Sequence, residues 1–64
     1  MNAQDQRRAE QIKMAMDEAI LEGDMEKFRE AYGKTLSHWY MPAKERKAYY
    51  MRFIKRVVEL REEA

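Results

Sequence analysis

The segment Glu22-Gly23-Asp24 constrains the fold of this chain most, because it ends one helix and starts another within three residues. Glycine adopts the left-handed backbone conformation that closes a helix at little steric cost. An aspartate in the next position can accept hydrogen bonds from the free N–H groups of the following helix, and its charge suits the positive end of that helix. The segment therefore predicts an αα-hairpin with a very short corner.

Apolar residues on both sides of this corner recur three or four positions apart, the spacing of one face of a helix. We expect helix one over about residues 4–22 and helix two over about 25–38. The apolar face of helix one is narrow and can bury little area, since it includes alanines. Gly33 is either a soft point that weakens helix two by about 1 kcal/mol relative to alanine or the end of that helix. The apolar face continues at Leu36, which favours a continuous helix.

Met41-Pro42 predicts the next boundary, because the residue before proline is disfavoured in a helix and proline suits the first helical turn. Helix three then runs over about residues 42–62. Its apolar face covers about half of the helix circumference at 100° per residue. The residues on this face are Tyr49, Tyr50, Phe53, Ile54, Val57, Val58 and Leu60.

The predicted fold class is all-α, a helical hairpin plus a longer third amphipathic helix. The apolar face of helix three is too wide for the narrow, alanine-containing face of helix one to cover it completely. Helix three therefore either folds back to complete a three-helix bundle or pairs with a second copy in a helical homodimer. With 64 residues, the chain forms one small helical domain, residues 1–64.

A domain this short is marginally stable on its own, and the chain has no cysteine for a disulfide or a thiolate zinc site. Oligomerisation or a bound partner is then the usual further source of stability. One histidine, His38, cannot form a metal site alone, so we expect no metal and no cofactor. No apolar run reaches the ~20 residues that span a bilayer, and the polar start is not a secretory signal. We therefore expect no membrane partner and a cytoplasmic location.

Charge is distributed unevenly along the chain. Residues 1–32 hold five basic and eight acidic side chains, a net charge of −3, whereas residues 33–64 hold eight basic and four acidic ones, a net charge of +4. The steepest excess lies in segment 44–56, with six basic side chains and one acidic side chain. Such a molecule could pair head to tail with itself or present its basic end to an acidic partner.

Catalytic patterns are absent from the sequence. The adjacent acidic pairs Asp17-Glu18 and Glu62-Glu63 point in different directions on a helix, so neither forms an acid–base pair. Ser37-His38 lacks a neighbouring carboxylate, and no glycine-rich phosphate loop or nucleophile elbow is present. We expect no enzymatic activity and no catalytic residue.

His38-Trp39-Tyr40-Met41 is the densest aromatic segment. Trp39 and Tyr40 have two interpretations. They can be buried and close the core at the open end of the hairpin, because tryptophan contributes a large apolar area to a small domain. They can instead be interface anchors, because both residue types are enriched in binding hot spots.

The methionines divide in the same way between core and surface. Met16 and Met25 fit the predicted core, whereas Met14 and Met51 lie off the main apolar faces. Flexible methionine side chains at a surface suit a plastic binding site. Met14 and Met51 are therefore candidate interface residues.

Basic residues on helix three could contact phosphates: Lys44, Lys47, Arg52 and Lys55. The alternative is a solvated face that keeps an apolar helix from aggregating. Nucleic-acid-binding modules usually have a pI above about 9, whereas this sequence has a pI of about 8.0. The acidic corner at residues 22–24 would also repel phosphates.

The segment from about residue 9 to 36 resembles the IDEAL domain, a short helical module of Firmicute proteins. That family carries an Ile-Asp-Glu-Ala-Leu run, then a Gly-Asp or similar corner and a phenylalanine. Here the run is Met16-Asp17-Glu18-Ala19-Ile20, followed by Glu22-Gly23-Asp24 and Phe28. The resemblance implies a small bacterial or phage regulatory or interaction module. It implies no catalytic residue and does not extend past Met41.

The function predicted from these features is a small non-enzymatic regulator, an inhibitor or adaptor, that binds a protein target through an apolar helical face with a basic rim. The predicted contact residues are Trp39, Tyr40, Tyr50, Arg52 and Phe53, with Arg56 as a rim charge that speeds encounter. The alternative is a nucleic-acid-associated protein that uses the four basic residues of helix three. A third possibility is a homodimer whose apolar face is fully used by itself.

Overall fold

The computed structural model describes residues 3–37 and 41–64, and every regular element within these ranges is an α-helix. The helices are α1 (Ala3–Glu22), α2 (Met25–Ser37) and α3 (Ala43–Glu63). They form a three-helix bundle in which each helix runs antiparallel to the one before it. The all-α prediction is confirmed, and each helix end lies within one residue of its expected position. No helix in the described ranges has the length and hydropathy needed to cross a membrane.

The corner between α1 and α2 closes through local hydrogen bonds, as its sequence predicts. Gly23 has a φ of 67°. Its N–H donates to the Ile20 carbonyl at 3.1 Å, and the Asp24 N–H donates to the Ala19 carbonyl at 3.0 Å. This pair of bonds is a Schellman motif, which satisfies carbonyls at the end of α1. Asp24 Oδ1 then accepts the Lys27 N–H at 3.1 Å and caps the start of α2.

The core lies where all three helices meet. Its centre is the stacked pair Phe28 and Phe53, whose ring centroids are 4.4 Å apart with an interplanar angle of 11°. Met16 is fully buried beside them, as expected. Met25 is 51% exposed, so its assignment to the core is wrong. It lies at the edge of the α2 apolar face, where neither α1 nor α3 covers it.

α3 secures the corner from outside. Arg56 Nε donates to the Leu21 carbonyl at 3.1 Å, near the end of α1. Leu60 lies directly over Gly23, so closely that a Cβ atom at residue 23 would overlap Leu60 Cδ1. Arg52 reaches Asp17 on α1 at 3.3 Å. Arg52 and Arg56 therefore hold α3 along α1, which runs parallel to it.

α2 continues unbroken through Gly33, the position predicted to be a soft point or an end. A Cβ atom at this glycine would have no neighbour within 4 Å. Beyond it, the buried Thr35 donates from Oγ1 to the Tyr32 carbonyl at 2.6 Å. The Met41 N–H donates to the Thr35 carbonyl at 3.0 Å, and the Met41 side chain is buried in the core just before α3 begins.

Candidate functional site

Large apolar side chains stay exposed on the side of the bundle where α2 and α3 meet. Tyr50, Ile54 and Val58 of α3 lie four residues apart, so they form one row along the helix. On α2, Met25 and Leu36 are each more than half exposed. We call this surface the α2–α3 face and define it by Met25, Tyr32, Leu36, Tyr50, Ile54 and Val58.

A groove of about 310 Å³ lies within the α2–α3 face. Its lining consists of Met25, Phe28, Arg29, Tyr32 and Tyr50. The Tyr50 ring lies 6.5 Å from the ring of Phe28 and 6.3 Å from that of Tyr32, measured between centroids. The groove is thus lined by aromatic rings packed on the core, and such a concave apolar surface suits a large apolar side chain of another molecule.

Cations predominate among the charged groups next to this surface, and the exposed Glu62 lies at its end, four residues after Val58. Arg29 lines the groove itself. Lys47 and Arg61 lie seven residues before and after Ile54, so they share its side of α3, and both are exposed. Within the described ranges, neither the groove lining nor the α3 row contains an acidic side chain. The α2–α3 face therefore has a positive rim that favours acidic groups on a ligand.

The opposite side of the hairpin, between α1 and α2, has a different character. Its groove of about 180 Å³ contains charged side chains that pair across it or along it. Lys27 Nζ lies 3.8 Å from Glu18 Oε1, and Lys34 Nζ lies 3.8 Å from Glu30 Oε1. Ala15 offers little apolar area there. Among the described residues that line it, this side has no large exposed apolar side chain that could anchor a partner.

Phe53, predicted to contact a partner, is 1% exposed. Its ring stacks on Phe28 in the core, so it cannot form a surface contact in this fold, and the prediction is corrected. Phe53 lies at the centre of the wide apolar face of α3, and the centre is the part that the hairpin covers. Tyr50, also predicted, is 48% exposed and lies at the edge of that face, on the candidate surface.

The predicted arginines lie on the other side of α3. Besides its ion pair with Asp17, Arg52 has its guanidinium carbon 5.2 Å from the Tyr49 ring centroid. Burial, and then the negative charge of Asp17, raise the pKa of Tyr49. Arg56 is held by the Leu21 carbonyl and lies 3.6 Å from Glu59. Both arginines act within the bundle and are separate from the α2–α3 face.

The structure divides the predicted phosphate-binding set. Lys44 and Lys55 are exposed on the outer side of α3, Lys47 lies on the rim of the α2–α3 face, and Arg52 pairs with Asp17 of α1. The four residues therefore do not form a single basic face. Trp39 and Tyr40, the other predicted contacts, lie outside the described residues.

Sequence reasoning missed the contribution of α2 to the candidate site. The helical spacing predicts Met25 in the core and Leu36 on the apolar face of that helix, and it assigns no role to Arg29. In the structure, the buried residues of α2 are the small Ala31 and Thr35 together with a single large one, Phe28. The other large apolar residues of this 13-residue helix had to remain at its edge.

Among residues 3–37 and 41–64, no cluster of three or more histidine or acidic side chains is arranged to hold a metal ion. No family model, curated protein or solved structure matches the chain significantly. The similarity of residues 9–36 to the IDEAL domain stays a prediction.

Proposed function

We propose that this chain is a small non-enzymatic regulator that binds a target protein through the α2–α3 face. The target would present an amphipathic helix whose apolar side is flanked by aspartate or glutamate. The observation that supports this proposal is an exposed apolar row beside an aromatic groove with a cationic rim. We expect the protein to act in the cytoplasm of a bacterium or in a phage-infected cell.

The size of the surface limits the affinity. Complete burial of a large apolar side chain contributes about 1.5–3 kcal/mol. Five of the six side chains are about half exposed and Tyr32 is less exposed, so together they would supply about 4–8 kcal/mol before the costs of association. Since 1 μM corresponds to about 8 kcal/mol, a micromolar or weaker complex is expected. Reversible binding of this strength suits an adaptor or inhibitor.

The cationic rim would mainly affect the association rate and the specificity of binding. Arg29, Lys47 and Arg61 would meet the acidic flanks of the target helix, which raises the association rate and rejects basic helices. Because apolar contacts supply most of the affinity, binding should weaken only modestly as salt increases.

The test uses a fluorescein-labelled amphipathic peptide of about 14 residues, which matches the length of α2. Leucines occupy one side and glutamates the flanks, and a second peptide carries lysines in place of the glutamates. Fluorescence anisotropy should show that the acidic peptide binds and that the basic peptide binds about tenfold more weakly.

The Ile54→Glu variant should weaken binding of the acidic peptide at least about tenfold, since an unpaired carboxylate would be buried at the contact. Ala15→Glu is the matched control, because it adds the same charge on the opposite side of the hairpin. Circular dichroism verifies that both variants are folded. Unchanged binding by a folded Ile54→Glu variant would refute the proposal.

Nucleic-acid binding is the other outcome of this test. A labelled DNA duplex bound through lysines would dissociate steeply with increasing salt, owing to counterion release. Lys44→Glu combined with Lys55→Glu would abolish that binding while leaving the α2–α3 face intact. If the duplex binds in this way and the acidic peptide does not, the protein-binding proposal fails.

A further inference from the structure

α1 carries a second exposed apolar surface on the side that points away from the bundle. Met14 and Leu21 are 69% and 67% exposed, more than any other large apolar side chain in the described ranges. They are seven residues apart, so they lie on the same side of α1, about 10 Å from one another. Neither contributes to the core. We call this surface the α1 outer face.

Acidic residues accompany these two side chains. Glu10 precedes Met14 by four residues and Asp17 precedes Leu21 by four, while Glu18 follows Met14 by four. All three are exposed. Cations also lie beside this surface: Arg52 is 3.3 Å from Asp17, Lys27 is 3.8 Å from Glu18, and the exposed Arg7 precedes Met14 by seven residues. Among the residues of α1 itself, the α1 outer face thus carries three acidic side chains and one basic side chain, so its own charge is negative.

That is the chemistry proposed for the target helix, and it occurs on the chain itself. Two α2–α3 faces packed together would bring Arg29, Lys47 and Arg61 of both copies close to one another. Two α1 outer faces packed together would likewise bring carboxylates of both copies close to one another. Only contact between the α1 outer face of one copy and the α2–α3 face of another joins opposite charges and covers both apolar surfaces.

We infer that the protein associates with itself head to tail, the α1 outer face of one copy seated on the α2–α3 face of the next. This inference rests on the proposed function, because the same face would bind the target helix. A target helix then has to displace the neighbouring copy, so self-association holds the binding face closed. The contact joins two different faces, so it is heterologous and leaves one unused face at either end of every assembly. Further copies can therefore add, and the assemblies grow as the protein concentration rises.

Two variants separate this arrangement from the alternatives. Met14→Lys with Leu21→Lys removes the α1 outer face and keeps the α2–α3 face. Ile54→Glu with Val58→Glu does the reverse. All four positions are exposed, and circular dichroism verifies folding. If the second variant is unfolded, Lys47→Glu with Arg61→Glu replaces it, since that change reverses the rim without altering apolar packing.

Analytical ultracentrifugation measures the outcome. The average mass of the wild-type protein should rise with concentration above the 7.8 kDa of one chain. Each variant alone should stay monomeric, and an equal mixture should form a one-to-one dimer and nothing larger. Dimers formed by the α1 variant alone would show a symmetric contact and overturn the inference. A wild-type protein that stays monomeric up to millimolar concentration, or an equal mixture that does not associate, would also overturn it.

The acidic peptide distinguishes failure of this inference from failure of the proposed function. The monomeric α1 variant retains the α2–α3 face and should bind the peptide, and excess peptide should reduce the wild-type mass to that of one chain. Peptide binding without wild-type self-association would leave the proposed function intact and refute the head-to-tail contact. Head-to-tail association without peptide binding would refute the proposed function alone.

Discussion

The same substitution at the two glycines should change stability in opposite directions. Gly23 closes α1 with a φ of 67° under the side chain of Leu60. Gly33 lies inside α2, where an added Cβ atom would meet nothing within 4 Å. Alanine is strained in the first position and is a better helix former than glycine in the second.

The expected magnitudes follow from these surroundings. At Gly23, the left-handed conformation costs alanine about 1–2 kcal/mol, and displacement of Leu60 brings the loss to about 1–3 kcal/mol. At Gly33, alanine should raise the free energy of unfolding by about 1 kcal/mol. A domain of this size has a total stability of about 3–10 kcal/mol. At about 4–8 °C per kcal/mol, the melting temperatures of the two variants should differ by about 10–30 °C.

Thermal unfolding followed by far-ultraviolet circular dichroism measures this difference directly. Low micromolar protein concentration keeps self-association from contributing to the melting temperature. Gly23→Ala should melt below the wild-type protein and Gly33→Ala above it. Shifts of the same sign, or a stabilised Gly23→Ala variant, would refute the role assigned to the corner.

Three further predictions concern the core, the helix cap and pH. Phe53→Ala should lower the free energy of unfolding by about 3–5 kcal/mol and leave much of the protein unfolded, as measured by circular dichroism. Ile54→Ala should stay folded. A stable Phe53→Ala variant would contradict the core assignment. Asp24→Ala should lower the free energy of unfolding in urea by about 1 kcal/mol, and Asp24→Asn, which can still cap α2, should recover most of it; equal losses would argue against capping. Burial raises the pKa of Tyr49 above its ordinary value of 10.0, so its stabilising contribution is present below pH 10 and declines as pH rises through the folded pKa. Urea unfolding should therefore show a steeper loss of stability above pH 10 for the wild-type protein than for Tyr49→Phe, and identical pH profiles would contradict this.

The hairpin could be predicted from sequence because its determinants are local. Gly23 and Asp24 form their hydrogen bonds within five residues of themselves, and short-range backbone chemistry suffices to anticipate them. The same holds for the boundary at Pro42, where the ring restricts the backbone of its neighbours.

The site could not be predicted to the same degree because it depends on how the helices face one another. Phe53 and Tyr50 both lie on the broad apolar face of α3, and only packing against Phe28 buries the first and leaves the second at the edge. Arg52 likewise pairs with a carboxylate 35 positions earlier in the chain. Periodicity places a residue on a face, but which part of a broad face is covered depends on the partner helix.

Amide chemical shifts measured by NMR during titration with the glutamate-flanked peptide test the proposed binding face most directly. The monomeric Met14→Lys, Leu21→Lys variant is used, so that self-association does not contribute to the shifts. Binding to the α2–α3 face predicts the largest changes at Arg29, Tyr50 and Ile54, with little change at Ala15. Changes clustered around Ala15 on the α1–α2 side, or no changes at saturating peptide, would contradict the assignment of the α2–α3 face as the binding surface.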